Sequence, residues 1–182
     1  MFQNIRQDFR IHGRLLRNRA FWALVLYRFG RWSARLRPPP LRWVAGKLYG
    51  ACTIFAPVIT GVAIDRRMEI GEGFHIVHPG MILIHPDVRI GKRLGLMHNV
   101  TIGLGADGRV PRIGDDVFIG TGAVLLGGIT IGDKARIAAN TLVICDVPAG
   151  ALAIGVPAKV YVSGSPMNPV GRAPAAPVGA QG

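Results

Sequence analysis

The chain has 182 residues, with 22 basic side chains against 10 acidic ones and two cysteines, Cys52 and Cys145. That length suits one domain with a small appendage, and two distant cysteines exclude a disulfide framework and fit a reducing cytoplasm. The charge is uneven: residues 1–50 hold 11 of the 22 basic side chains with Asp8 as their one acid, while the rest of the chain is nearly balanced. Nucleic acid and anionic lipid headgroups are the generic partners of such a basic segment. No nucleic-acid-binding module is recognisable, so no nucleic-acid partner is expected. The arginine-rich opening also lacks the long apolar run of a cleaved signal peptide.

Residues 2–36 read as helical, with Phe21, Trp22, Leu24, Val25, Leu26, Tyr27 and Phe29 as the apolar positions, and Pro38-Pro39-Pro40 ends that segment. Residues 41–56 read as a second apolar helix before Pro57. The uncharged stretch 48–64 is borderline in length for a membrane span. It is read instead as a helix packed on the end of the next domain plus that domain's first turn. The basic side chains of this segment sit beside Phe21, Trp22, Trp32 and Trp43. Two readings stand side by side: peripheral contact with an anionic membrane, or the solvated face of helices packed on their own domain.

From Ile64 onward the chain repeats every six residues. Ile64, Ile70 and Ile76 begin the series; Ile84, Ile90, Leu96 and Ile102 continue it after a two-residue shift. Ile113, Ile119, Leu125, Ile131, Ile137 and Val143 complete thirteen hexads. Glycine often follows the aliphatic residue, as in Ile70-Gly71, Ile90-Gly91 and Ile131-Gly132, and the fifth position is often apolar. A period of six matches neither a helix nor a simple strand. It matches a three-sided coil, one hexad per side, in which the aliphatic residue points inward, glycine tolerates the backbone near a corner, and each coil is stable only against its neighbours. The expected fold is mainly β: a left-handed parallel β-helix of hexapeptide repeats with a short N-terminal α-helical segment. The expected division is a basic helical segment at 1–61, the β-helix at 62–162, and a Pro-, Gly- and Ala-rich disordered tail at 163–182.

The same arithmetic groups polar residues. His78 is third in the hexad of Ile76, and His98 is third in that of Leu96, one full coil later. Stacked coils set the two side chains about 4.8 Å apart. The column continues through Thr121 to Ala139, so two imidazoles head a track of small residues that suits a long thin ligand. His75 and His85 are read as solvated or core-edge residues. A zinc site using His78, His98 and a ligand from another subunit is the competing reading, although no metal is expected. An interruption at 103–112 projects from the coil as a loop carrying Arg109 and Arg112, and such loops commonly hold binding groups.

Residues 62–162 resemble the serine acetyltransferases among the hexapeptide acyltransferases. The likeness is carried by Ile70-Gly71-Glu72-Gly73-Phe74-His75-Ile76-Val77-His78, Val100-Thr101-Ile102-Gly103, Ile119-Gly120-Thr121-Gly122-Ala123 and Gly155-Val156-Pro157-Ala158-Lys159-Val160. The short helical segment and His98-Asn99-Val100-Thr101 are similar to those of short exopolysaccharide acetyltransferases of the colanic-acid type. The resemblance implies acetyl-CoA as co-substrate, a hydroxyl acceptor (L-serine or a sugar), and a homotrimer with the site between subunits. It implies His78 as general base with His98 in support. It places Gly103, Thr121, Gly122, Ala139 and Lys159 on the donor side, and Arg109 and Asp65 on the acceptor side. The family's orienting aspartate falls at Ala63, its acid before the catalytic histidine at Val77, and the histidine of its loop Arg-His pair at Val110. A non-catalytic β-helix scaffold is the alternative that these losses keep open.

Overall fold

The hexad period resolves into three parallel sheets that share one core. The computed structural model describes residues 2–13, 19–62 and 64–162; Ala63 and the tail expected to be disordered lie outside the described residues. The first sheet stacks β1 (Glu69–Ile70), β4 (Arg89–Ile90), β7 (Arg112–Ile113) and β10 (Thr130–Ile131). The second stacks β2 (His75–Ile76), β5 (Gly95–Leu96), β8 (Phe118–Ile119), β11 (Arg136–Ile137), β13 (Leu152–Ile154) and β14 (Lys159–Tyr161). The third stacks β3 (Leu83–Ile84), β6 (Thr101–Gly103), β9 (Val124–Leu126) and β12 (Leu142–Val143). Register sets aliphatic residue over aliphatic residue: Ile70, Ile90, Ile113, Ile131 on one side and Ile76, Leu96, Ile119, Ile137 on the next. Fifth-position residues such as Met68, Phe74, Val88 and Leu94 fill the space between them, fully buried. Ile64 is only half-buried; its side of the first coil joins the next coil through an isolated bridge, Val62 to Ile82.

The hexad glycines have a different reason from the one expected. The left-handed corner position is the fourth in the hexad, occupied by Gly73 and Gly122 but also by Arg93, Asn99, Asp116, Lys134 and Asn140. The second-position glycines are there for close approach. A Cβ on Gly91 would strike the backbone of Gly114, and one on Gly120 would strike that of Ala139. At these two glycines the coils stack too closely for a side chain.

Three helices precede the coil: α1 (Phe2–Ile11), α2 (Arg19–Ala34) and α3 (Pro39–Thr60). α3 departs from the expected 41–56 at both ends. Prolines in a first turn forfeit no hydrogen bond, so the helix begins at Pro39 rather than after the proline run. It continues past Pro57 until Gly61, whose left-handed backbone lets its N–H bond the Pro57 carbonyl at 2.9 Å. α3 packs on α2, with the Tyr49 ring occupying the space above Gly30.

α1 and α2 close the open edge of the first coil. The Tyr27 hydroxyl donates to the Met68 carbonyl at 2.9 Å and accepts the Ile70 N–H at 3.2 Å. Arg31 also donates to the Met68 carbonyl. Arg28 donates to the carbonyls of Ile70 and Gly71 at 2.9 and 2.6 Å, and pairs with Asp8 at 3.1 Å. Asp8 accepts the Gly73 N–H, and His12 Nε2 accepts the Ile76 N–H at 3.3 Å. Burial pushes the Asp8 carboxyl above the ordinary carboxylate range, opposed by Arg28 and the Gly73 N–H. An unpaired strand edge is thus satisfied by side chains. At the far end, β13 turns back antiparallel on β14.

Two stability predictions follow from this packing. Arg28→Ala, which strands a buried carboxyl and two carbonyls, is expected to lower unfolding free energy by about 3–5 kcal/mol. Gly91→Ala is expected to cost about 1–3 kcal/mol, whereas Gly46→Ala, in an open stretch of α3, gains about 0.5–1 kcal/mol. Denaturant unfolding measures all three; equal effects at Gly91 and Gly46 would contradict the close stacking.

Candidate functional site

The three corners of the prism differ in chemistry. At the corner between the first and second sheets the polar side chains satisfy one another. Glu72 lies 3.5 Å from Lys92, Asp115 accepts the Lys92 N–H at 2.8 Å, and Asp133 accepts the Asp115 N–H at 2.8 Å. At the corner between the second and third sheets stand His78, His98, Thr121 and Ala139. Their alignment follows from the pairing of Ile76 with Leu96, Leu96 with Ile119, and Ile119 with Ile137. A backbone ladder holds them. Asn99 N–H bonds the Gly80 carbonyl, Gly122 N–H bonds that of His98, and Asn140 N–H bonds that of Thr121. The Thr121 hydroxyl also donates to the His98 carbonyl at 3.0 Å.

His78 is exposed, and its ring meets that of His98 with centroids 6.1 Å apart at 62°. Among the described residues no hydrogen-bond partner engages the imidazole nitrogens of His78. His98 is half-buried, and its Nδ1 is buried without a partner among the described residues. A buried unpaired donor is costly, so the proton of neutral His98 belongs on Nε2. The column therefore offers one accessible imidazole backed by a second whose Nδ1 is enclosed.

The donor-side residues read from the sequence extend along the coil from the histidines. Thr121, Gly122 and Ala139 continue the column, and Lys159 lies in β14 opposite Ile154, next to the final turn. Gly103 ends β6 on the adjoining third sheet. Arg109 is elsewhere. Each third-sheet strand begins after the histidine corner and ends at the corner from which the 103–112 loop leaves, so within one chain the third sheet separates Arg109 from His78. Asp107 fixes the loop: it accepts the N–H groups of Arg109 and Gly128 and pairs with the Arg109 guanidinium at 2.8 Å. These bonds, the backbone ones first, hold its carboxyl below the ordinary range. Arg109 remains exposed and flanks a cleft of about 480 Å³ with Arg89 and Arg112.

Asp65, read as an acceptor-side residue, forms no hydrogen bond to His78 among the described residues. Its carboxylate takes the Arg67 N–H at 2.7 Å and pairs with the Arg67 guanidinium at 3.2 Å, which together hold it below its usual range despite partial burial. His85 leans on Asp87 at 3.8 Å. His75 meets His12 edge-on at 5.1 Å, and burial, with His12 beside it, lowers its pKa. Sequence reasoning missed His12, whose role shows only once α1 folds back on the coil. Cys145 is exposed, and desolvation raises its thiol pKa, which does not suit a nucleophile. Among the described residues no three His, Cys, Asp or Glu side chains gather as a metal set.

Residues 111–145 match the family described as bacterial transferase hexapeptide (six repeats). A serine acetyltransferase of Synechococcus elongatus is 30% identical over 185 residues, covering 93% of this chain and 73% of that protein. One from Helicobacter pylori is 39% identical over 114 residues, covering 60% of this chain and 66% of that one. The chain spans 60–66% of the length of the first curated relatives it matches. Among solved structures, the soybean serine acetyltransferase apoenzyme superposes with a TM-score of 0.74 at 28% identity, over 87% of this chain and 68% of that one. A serine acetyltransferase in complex with CoA superposes with 0.68 at 30% identity, over 80% and 58%.

The tautomer of His98 is directly measurable. Nitrogen-15 NMR of imidazole-labelled protein near pH 8 is expected to show Nε2 protonated and Nδ1 bare. A protonated Nδ1 would mean that the buried nitrogen has found an acceptor.

Proposed function

Because this chain belongs to the serine acetyltransferase family, we propose that it is an acetyl-CoA-dependent O-acetyltransferase with His78 as its general base. The observation that carries this reading is the histidine corner itself. Its residues are one accessible imidazole, a second imidazole beneath it, and then only Thr121 and Ala139. At the corner between the first and second sheets Glu72, Lys92, Asp115 and Asp133 are instead held in an ion pair and backbone hydrogen bonds.

In the proposed reaction a hydroxyl of the acceptor approaches Nε2 or Nδ1 of His78, which removes its proton as the oxygen attacks the thioester carbonyl. The new C–O bond forms, the C–S bond breaks, and the proton passes to the departing CoA sulfur. A backbone N–H at the coil corner stabilises the oxyanion. Thr121, Gly122 and Ala139 leave room for the pantetheine arm, and Lys159 at the far end supplies a cation for its phosphates. Gly103 leaves the neighbouring sheet free of bulk.

The acceptor is a small hydroxyl compound: L-serine by family, or a sugar hydroxyl of exopolysaccharide synthesis. Val77 and Val110 stand where the family grips the amino acid with polar groups, and this favours the sugar. Those same losses support a non-catalytic scaffold as the second reading. A cyclic trimer accounts for the separation of Arg109 from His78, since the loop of one subunit then reaches the histidine corner of the next. The exposed Leu83, Leu104 and Ile144 on and beside the third sheet suit burial in that contact. The same reading puts the enzyme in the cytoplasm, with its basic N-terminal segment in peripheral contact with the inner membrane face.

Thiol release from acetyl-CoA across a panel of L-serine and nucleotide- or lipid-linked sugars tests the activity. His78→Ala is expected to lower transfer by about 10²–10⁴-fold with CoA affinity nearly unchanged; wild-type turnover in that variant contradicts the assignment. Light scattering is expected to give a trimer, and a monomer would overturn the shared site.

A further inference from the structure

α3 has an outer face that nothing in the described chain covers. Its inner stripe, including Ala45, Tyr49 and Thr60, is buried. The opposite face presents Leu48, Ile54, Phe55, Val58 and Ile59, each between 56 and 86% exposed. The helix contains no acidic residue, and its two basic ones, Arg42 and Lys47, fall in its first half. Arg35 and Arg37 are exposed beside the same end, and Lys47 rests over the ring of exposed Trp43 at 5.8 Å. Charge and aromatic surface gather at one end of the helix, and an apolar surface follows.

By length and composition α3 is long enough and apolar enough to cross a membrane. Two contacts hold it along the protein instead. Tyr49 is seated over Gly30 of α2, and Gly61 nests on the first coil, where a Cβ would stand 3.4 Å from the Gly80 Cα. α2 is in turn anchored by the buried Arg28–Asp8 pair. A spanning helix would have to abandon the first two contacts.

We infer that α3 is an interfacial membrane anchor, lying in the bilayer surface with its outer apolar face in the acyl boundary. Arg35, Arg37, Arg42 and Lys47 meet anionic headgroups beside it, and Trp43 sits at the headgroup level. Charge complementarity points to an anionic lipid surface: four exposed basic side chains gather at one end of the apolar face, and the helix holds no acidic residue to answer them. The anchor specifies more than attraction of a basic segment: it fixes which helix face enters the lipid. It also fixes orientation. Gly61 joins the anchor to the corner at Gly80, two residues from His78, so docking brings the histidine end of the column to the bilayer and leaves the Lys159 end away from it. A hydroxyl on the headgroup of an amphiphile is then within reach of the site; this last consequence rests on acetyl transfer at His78, whereas the docking does not.

Co-sedimentation of the full chain with vesicles tests the inference, using phosphatidylcholine alone and a 7:3 mixture with phosphatidylglycerol. Wild type is expected to sediment with the anionic vesicles at low salt. Binding should fall at least tenfold in high salt, on neutral vesicles, and in either of two double variants, Phe55→Ser/Val58→Ser or Arg35→Glu/Arg42→Glu. All the substituted side chains are exposed, and a thermal melt confirms folding; if the apolar double variant melts early, Ile54→Gln gives the same readout. Acetyl transfer to a soluble acceptor is expected to be unchanged in these variants, which separates failure of the anchor from failure of the proposed activity. Wild type remaining in the supernatant at low salt overturns the inference. So does a Phe55→Ser/Val58→Ser variant that binds vesicles like wild type, or one that loses an oligomeric state while its vesicle binding persists.

Discussion

Vertical register is the constraint on which the rest of the structure depends. A coil of three hexads cannot bury its own aliphatic residues, and only the coil above and the coil below complete the core. Each inward side chain is worth about 1.5–3 kcal/mol when buried, and that gain is kept only while Ile76 stays over Leu96 and Leu96 over Ile119. A slip of one residue would turn these positions outward. Once register is fixed, every other hexad position becomes a column as well. The second position must be glycine where the next coil's backbone comes close, and the third becomes a line of side chains along a corner. One such line is neutralised by its own ion pairs and backbone bonds. Another leaves an imidazole exposed above a narrow track, and the proposed chemistry follows from that difference.

A stack held together this way has vulnerable ends. The last coil is closed by a strand that turns back antiparallel. The first is closed by helices, and this explains why the one acid of the basic segment, Asp8, is buried. It holds Arg28, and Arg28 holds two carbonyls at the first strand's edge. The pair costs desolvation energy, and its contribution is directional: it fixes where α2 sits on the coil, and α2 fixes where α3 lies. The position of an exposed apolar helix, whose end meets Gly80, is thus tied through α2 to a buried ion pair.

The coil was largely legible in the sequence because inward residues obey a period that no other regular structure shares. The His78–His98–Thr121–Ala139 line was legible for the same reason. Three features were not. The role of glycine depends on the distance between coils, which the pattern does not carry, so the left-handed corners filled by Arg93, Asn99 and Lys134 went unforeseen. The extent of α3 was obscured by prolines, which a first turn accepts. The engagement of Asp65 by Arg67 and of His12 by the Ile76 N–H are contacts between side chains and backbone with no periodic signature. Ala63, where the family's orienting aspartate falls, lies outside the described residues.

The proposed function requires the histidine corner to be the donor track, with its base at the head. A crystal structure with bound CoA tests it most directly. The CoA sulfur is expected beside His78, with the pantetheine arm passing Thr121 and Ala139 toward Lys159. CoA lying along the corner of Glu72, Lys92, Asp115 and Asp133, or bound with its sulfur remote from His78, would contradict it.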